Sequence, residues 1–220
     1  MRVSSPDIFA ELLGAFPSLV GRPATADDRR QFKRYLDLFI QWNRVHRMTA
    51  LRSPEEIVRG LFLDSLLFLR ALPAPRPLKV VDIGAGSGIP GLPIRLADSA
   101  ISLTLIEAKR KRVSFLLTAC RELGLSDVQV LEGRAERLVG EILGAAGSFD
   151  AVVARAVGAE EELLPLALTY VRPGGLVVLA GSPEPMDGGR MQVVKVAIPG
   201  TRSTRVFRTA MKESSVPRGT

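Results

Sequence analysis

The run Val80-Val81-Asp82-Ile83-Gly84-Ala85-Gly86-Ser87-Gly88, continued by Ile89-Pro90-Gly91, constrains this chain more than any other stretch. An apolar strand runs into a turn built almost wholly of small residues. Glycine tolerates positive φ and lets a ligand or another backbone approach closely. A strand ending in such a turn, with a helix to follow, is where open α/β sheets bind nucleotide-like ligands. A second apolar run, Ile101–Ile106, then ends in Glu107. A carboxylate at that point can accept both hydroxyls of a ribose. Glycine turn and late acid together describe a site for an adenosine-like group.

From Leu78 onward, strand and helix patterns alternate. Strand Leu78–Ile83 precedes a helix near Leu92–Ala97, and strand Ile101–Ile106 precedes helix Lys109–Leu123. In that second helix Val113, Leu116, Leu117, Cys120 and Leu123 fit one apolar face. Strand Val128–Leu131 leads to a helix near Ala135–Leu143, and strand Phe149–Ala154 to helix Glu160–Val171. The turn Arg172-Pro173-Gly174 introduces strand Gly175–Ala180. Repeated units of this kind predict a mostly parallel sheet covered on both faces. Two more strands, Met191–Ile198 and Thr204–Arg208, are joined by Pro199-Gly200 and read as an antiparallel hairpin at the sheet edge. The Gly- and Pro-rich stretch Gly181–Gly189 reads as a loop.

Ahead of the sheet, Phe32, Leu36, Phe39, Ile40 and Val45 recur at helical spacing between Asp27 and His46, with Thr25 or Asp27 as cap. A second helix runs from about Glu55 to Leu72, after cap Ser53 and with Pro54 in its first turn. The break Pro73-Ala74-Pro75-Arg76-Pro77 separates a helical extension, residues 1–76, from the main domain, residues 77–220.

Composition narrows the function classes. The chain has 220 residues, enough for one full core. Its one cysteine, Cys120, allows no internal disulfide and no cysteine-built zinc site, and no metal is expected. No apolar stretch approaches the length of a membrane span, and the N-terminus lacks a signal-peptide pattern. A cytoplasmic, monomeric protein is the expectation. Net charge is +7. From Asp187 to Thr220 seven Lys/Arg stand against two acids, and Lys109-Arg110-Lys111-Arg112 opens a helix. Such clusters suit a polyanion, although a solvated basic surface explains charge equally well.

Two ligands compete for the glycine turn. Gly86-Ser87-Gly88-Ile89-Pro90-Gly91 fits the dinucleotide fingerprint G-x-G-x-x-G. Pro90, however, deletes an N–H where a pyrophosphate needs donors. The earlier frame, Asp82-Ile83-Gly84-Ala85-Gly86-Ser87-Gly88, resembles the first motif of class I S-adenosylmethionine-dependent methyltransferases, which have a Rossmann-like fold. There Asp82 suits the ammonium of a methionine arm, directly or through water, and would be a poor neighbour for a pyrophosphate. Gly133-Arg134-Ala135-Glu136, Phe149–Ala156 and Arg172-Pro173-Gly174-Gly175 follow in the order that such enzymes use.

The chain is similar, more specifically, to the RsmG (GidB) family. The resemblance rests on Trp42-Asn43 with Thr49-Ala50, Leu63-Asp64-Ser65-Leu66, Gly88–Pro93, Lys111–Leu116, Gly133–Glu136 and Ala154-Arg155-Ala156. It implies methyl transfer to guanine N7 in the decoding-region loop of 16S ribosomal RNA, with that RNA or a 30S precursor as partner. It also implies cofactor contacts at Gly84, Ile89, Glu107, Ala108, Lys109, Ala135, Glu136 and Arg155, alongside Asp82, Gly86 and Gly88 of the glycine motif. Arg155 is the candidate for touching both cofactor and substrate; an ion pair with Glu136 or a loop anchor is the plainer role. Asp64 and Ser65 read as ties between the N-terminal helices and the domain, and His46 as a helix-end residue. Three positions depart from the family pattern, Arg47, Leu61 and Ala180, where it has Asn, His and Lys. These departures leave open a paralogue acting on another RNA or a small molecule, or a non-catalytic RNA-binding module.

Overall fold

The computed structural model describes residues 7–141, 147–155, 160–180 and 191–213. The expected loop 181–189 lies outside them. Seven strands form one sheet in the order β3-β2-β1-β4-β5-β7-β6. β1 (Leu78–Ile83), β2 (Ile101–Glu107), β3 (Gln129–Glu132), β4 (Phe149–Arg155) and β5 (Val171–Ala180) are parallel. β6 (Gln192–Ala197) and β7 (Thr204–Met211) add the antiparallel hairpin at the edge. Val80, Val81, Ala151, Val152 and Val153 are fully buried, as strands covered on both faces require. β1 sits between β2 and β4, so the strand order reverses there. A crevice opens at such a reversal, beyond the carboxyl ends of the strands.

The helices pack against this sheet. α6 (Gly91–Ala97) and α7 (Arg110–Glu122) follow β1 and β2, and α8 (Ala135–Glu141) and α9 (Glu160–Tyr170) follow β3 and β4. The N-terminal segment supplies α1 (Ala10–Gly14), α2 (Phe16–Leu19) and α3 (Ala26–His46). α3 begins with a capping box in which Thr25 and Asp28 exchange side-chain-to-backbone bonds. Its apolar face buries Phe32, Tyr35, Leu36 and Phe39, at i, i+3, i+4 and i+7.

These rings join one aromatic cluster. Tyr35 stacks on Phe62 at 4.8 Å, while Phe39 and Trp42 meet Phe115 of α7 at 6.1 and 5.5 Å. Each fully buried ring contributes about 1.5–3 kcal/mol. Two polar ties fix the docking. Arg22 clasps Asp28 through both carboxylate oxygens and donates to the carbonyl of Ala97 at the end of α6. The Tyr35 hydroxyl donates to the carbonyl of Ser87, inside the glycine turn, at 2.6 Å.

Several elements differ from the sequence expectation. Val45 and Leu117 fit helical apolar spacing, yet they are 74% and 54% exposed, because each lies just off the buried stripe of its helix. The helix after Ser53 is not uniform. It starts as α4 (Pro54–Ile57), widens to a π-helical stretch (Val58–Leu63), returns as α5 (Asp64–Leu66) and tightens to a 3-10 turn (Leu67–Arg70). The turn Arg172-Pro173-Gly174 lies inside β5 as a bulge: Phe149 pairs with Val171, and Ala151 next pairs with Leu176. Cys120 is buried in the core as expected, and burial pushes its thiol up to about 11, where it is inert.

α3 stops because Arg47 takes the left-handed conformation, with φ 48° and ψ 55°. Arg47 is the one described non-glycine residue with positive φ. Asparagine, which the family pattern places there, adopts that conformation more readily. The departure at position 47 therefore falls on a helix stop. Arg47→Gly is expected to stabilise the protein by about 1 kcal/mol, read as an upward shift of the urea midpoint. A fall in the midpoint would mean that contacts of the arginine outweigh the backbone strain.

Candidate cofactor and substrate site

The glycine turn separates two cavities that meet at Gly84. The first, of about 200 Å³, is walled by Gly84 and Ile83 of β1, Glu107 and Ala108 after β2, Ala135 and Glu136 of α8, and Leu163 and Leu166 of α9. The second, of about 210 Å³, is walled by Gly84–Ser87 and Ile89, with Thr49, Leu61, Arg112 and Arg155. The first has aliphatic walls with Glu107, Glu136 and Glu162 among its lining residues. The other is bounded by hydroxyl, aliphatic and guanidinium groups.

Glu107 organises the turn. It is 5% exposed. Its Oε2 accepts from the N–H of Gly86 at 2.9 Å and its Oε1 from the N–H of Lys109 at 2.7 Å. Each carboxylate oxygen keeps a lone pair free of those bonds. The Arg112 guanidinium stands 3.7 Å from Oε2. The carbonyls behind the turn are also used: Ala85 N–H donates to Ile106 at 2.9 Å, and Gly133 N–H to Glu107 at 3.0 Å. Both strand ends are thereby held against the turn.

Asp82 lies beneath the turn rather than in either cavity wall. It is fully buried, and its Oδ2 accepts from the N–H of Gly91, the first residue of α6, at 2.8 Å. A Cβ on residue 91 would stand 2.8 Å from that oxygen, so only glycine fits. The other oxygen, Oδ1, is buried with no partner in the protein. Burial, with Glu107 adding to it and the Gly91 bond opposing, raises the Asp82 pKa to about 7. Gly88 is likewise set back. Its φ is +80°, and a Cβ there would stand 2.4 Å from Leu92.

Arg155, at the end of β4, points to the second cavity. Its Nη1 lies 3.1 Å from Asp64 Oδ2, and its Nη2 donates to the Gly60 carbonyl at 3.0 Å. Asp64 Oδ1 meets Arg205 of β7 at 3.2 Å. The partner of Arg155 is therefore Asp64, not Glu136, which lies across the turn in the first cavity. Burial lowers the Arg155 pKa, with Asp64 opposing and Arg205 adding to the fall. One carboxylate thus joins the π-helical segment, the central sheet and the edge hairpin. Ser65 stays within its own helix, donating to Leu61. Asp64→Asn is expected to cost about 1–2 kcal/mol, because two neighbouring guanidiniums lose their shared anion. A lowered urea midpoint checks this; an unchanged midpoint would mean that the two arginines do not depend on Asp64.

The expected site residues thus divide into groups. Gly84, Glu107, Ala108, Ala135 and Glu136 surround the first cavity; Gly84, Gly86, Ile89 and Arg155 surround the second. Asp82 and Gly88 support the turn from behind. Lys109 contributes a backbone N–H to Glu107, and its side chain turns to a separate cleft. Leu163, Leu166 and Thr49 escaped the sequence reading as site residues, since apolar and hydroxyl positions carry no motif there. The glycine turn and the Glu107 carboxylate beside a largely apolar cavity fit an adenosine-bearing ligand, while the unpartnered oxygen of Asp82 stays buried beneath the turn.

The family model for GidB, the rRNA small subunit methyltransferase G, matches residues 28–192. The chain belongs to the rRNA small subunit methyltransferase G family. It is 38% identical to the Sorangium cellulosum ribosomal RNA small subunit methyltransferase G over 179 residues, covering 80% of this chain and 72% of that protein. The Moorella thermoacetica enzyme of the same name is 32% identical over 219 residues, covering 94% and 91%. Among solved structures, an O-methyltransferase from Bacillus cereus in complex with SAH superposes with TM-score 0.56 at 17% identity, over 92% of this chain and 97% of that one. A cofactor-bound protein from MTB gives TM-score 0.57 at 16% identity, over 96% and 100%. These two likenesses bear on the fold, which is that of a class I methyltransferase. A Rossmann-like methyltransferase domain using S-adenosylmethionine goes with membership of the rRNA small subunit methyltransferase G family. Among the described residues no cluster of His, Cys, Asp or Glu could hold a metal ion, and no helix is long and apolar enough to cross a membrane.

Proposed function

We propose that this chain methylates N7 of a guanine in the decoding-region loop of 16S ribosomal RNA, in the cytoplasm and as a monomer, on free RNA or a 30S precursor. The observation that carries the reading is the chemistry of the second cavity. Among the described residues its walls hold Thr49, Ser87, aliphatic side chains and two arginines, and no carboxylate or imidazole. Guanine N7 has an in-plane lone pair and no proton to lose, so its methylation needs position and shielding rather than a general base. Methylation of a hydroxyl group would call for a proton acceptor, and the described residues of this wall offer none.

Glu107 is proposed to hold the ribose hydroxyls, and Leu163 and Leu166 of α9 to cover the adenine. Gly84 and Gly86, without side chains, leave the junction between the cavities open. S-adenosylmethionine supplies an electrophilic methyl group at that junction. Thr49, Leu61 and Ile89 would bracket the base on the far side. Arg155, anchored by Asp64 and Gly60, is proposed to donate to the base edge. Residues 1–76 then serve as one wall of the substrate cavity, through Thr49 and Leu61, as well as a cover for the sheet.

The test is methyl transfer from labelled S-adenosylmethionine to 16S RNA and to 30S particles from a strain lacking the native enzyme, followed by nucleoside identification. A single 7-methylguanosine in the decoding loop is expected. Label in another nucleoside, or none with the donor shown to bind, would overturn the reading and give the departures at Arg47, Leu61 and Ala180 another meaning.

A further inference from the structure

We infer that the phosphates flanking the target base run through a basic cleft between the end of α3 and the start of α7. This inference rests on the RNA reading above and adds the face by which RNA arrives. The cleft measures about 380 Å³ and adjoins the second cavity at the glycine turn. Arg47 lines one side, and Lys109, Arg110 and Lys111 line the other. All four are exposed. Met48 and Arg112 line this cleft and also the substrate cavity. A strand lying in the cleft would therefore pass directly over the mouth into which a base must turn.

The local electrostatics of α7 point the same way. The amino end of a helix carries partial positive charge and favours acids. α7 has no acid in its first turn and no side-chain cap, and instead opens on four consecutive cations. That arrangement disfavours the helix and favours an anion placed against it. α3, by contrast, obeys the rule at both ends, with Asp27 and Asp28 first and Arg44 and His46 last. A break with local preference at one helix end, beside a cavity leading to the reaction site, marks binding rather than folding. The one carboxylate beside this cluster, Glu107, is buried and already engaged by backbone N–H groups.

Several cations of the basic tail are already engaged or buried. Arg205 is paired with Asp64, Arg208 is 3% exposed, and Lys212 donates to the carbonyl of Val171. Arg190 and Arg218 lie outside the described residues. Lys195 and Arg202 remain as the tail's comparison sites.

The experiment compares the full-length wild type, the double variant Arg110→Ala/Lys111→Ala, Arg47→Gly, and the tail double variant Lys195→Glu/Arg202→Glu. The probe is a fluorescein-labelled oligoribonucleotide carrying the decoding-region loop, titrated at several salt concentrations. S-adenosylmethionine affinity and the melting midpoint are measured alongside. For Arg110→Ala/Lys111→Ala the RNA dissociation constant should rise about tenfold or more at low salt. The slope of log affinity against log salt should fall by about 1.4, or about 0.7 for each single-strand phosphate no longer neutralised. Donor affinity should hold and the midpoint should stay or rise. Arg47→Gly should weaken RNA binding while stabilising the fold, and the tail variant should bind as wild type. Unchanged affinity and slope in the cleft variants, or weakening confined to the tail variant, would overturn the inference while leaving RNA methylation standing. A wild type that neither binds nor methylates the RNA would remove both.

Discussion

Replacing Glu107 with glutamine is expected to raise the dissociation constant for S-adenosylmethionine by about 10- to 100-fold, or about 1.4–2.8 kcal/mol. The carboxylate accepts from two backbone N–H groups, at 2.9 and 2.7 Å, and in the proposed complex accepts from two ribose hydroxyls as well. Glutamine offers one oxygen for all of these roles. Its amide nitrogen, a donor, would face an N–H of Gly86 or Lys109. Losing a charge-assisted bond and orienting donor against donor costs about 1.5–3 kcal/mol. The turn would loosen at Gly86, so kcat should fall less steeply than affinity once the donor is saturating. Calorimetric titration with S-adenosylmethionine tests this. An unaltered affinity would remove Glu107 from the donor site and restrict it to the turn.

A second large effect concerns pH. In the unfolded chain Asp82 ionises at an ordinary carboxylate value, near 4, whereas in the folded protein its pKa is raised to about 7. Between these values the folded state holds a proton that the unfolded state has released. Stability from this group therefore falls as pH rises from about 4 to about 7, and is level above that. About three units at 1.36 kcal/mol each give about 4 kcal/mol. Asp82→Asn cannot ionise, and its amide oxygen can still accept from Gly91. Its urea-unfolding free energy should accordingly be flatter from pH 4 to 8 than that of wild type. Identical pH profiles would mean that the carboxylate does not titrate in this range.

The sheet was legible before the structure because its signals are local. Apolar runs of five or six residues, glycine turns and capping residues such as Thr25 and Ser53 each declare themselves within a few positions. The lining of the first cavity was legible for the same reason: Gly84, Glu107, Ala135 and Glu136 sit at or just beyond strand ends. The ion pairs beside the second cavity were not. Arg155, Asp64 and Arg205 are far apart in sequence, and their charges could have been paired in many ways. The π-helical widening at Val58–Leu63 has no period of its own to read, and helices as short as α1 and α2 show too few residues to reveal one. Val45 and Leu117 misled for a physical reason. The helical period drifts, so residues one step from a buried stripe share its spacing but not its burial.

The aromatic cluster has a consequence for biosynthesis. Phe32, Tyr35, Phe39 and Phe62 leave the ribosome before Phe115 of α7, against which Tyr35, Phe39 and Trp42 pack. Ser87, which receives the Tyr35 hydroxyl, also emerges later. Until then the N-terminal helices have a greasy face and nothing to close it. A nascent chain in that condition is prone to aggregation and is a ready client for chaperones. Once α7 emerges, Phe115 shelters those rings and holds in place the helix whose Tyr35 braces the glycine turn, so closing the greasy face and fixing the turn go together.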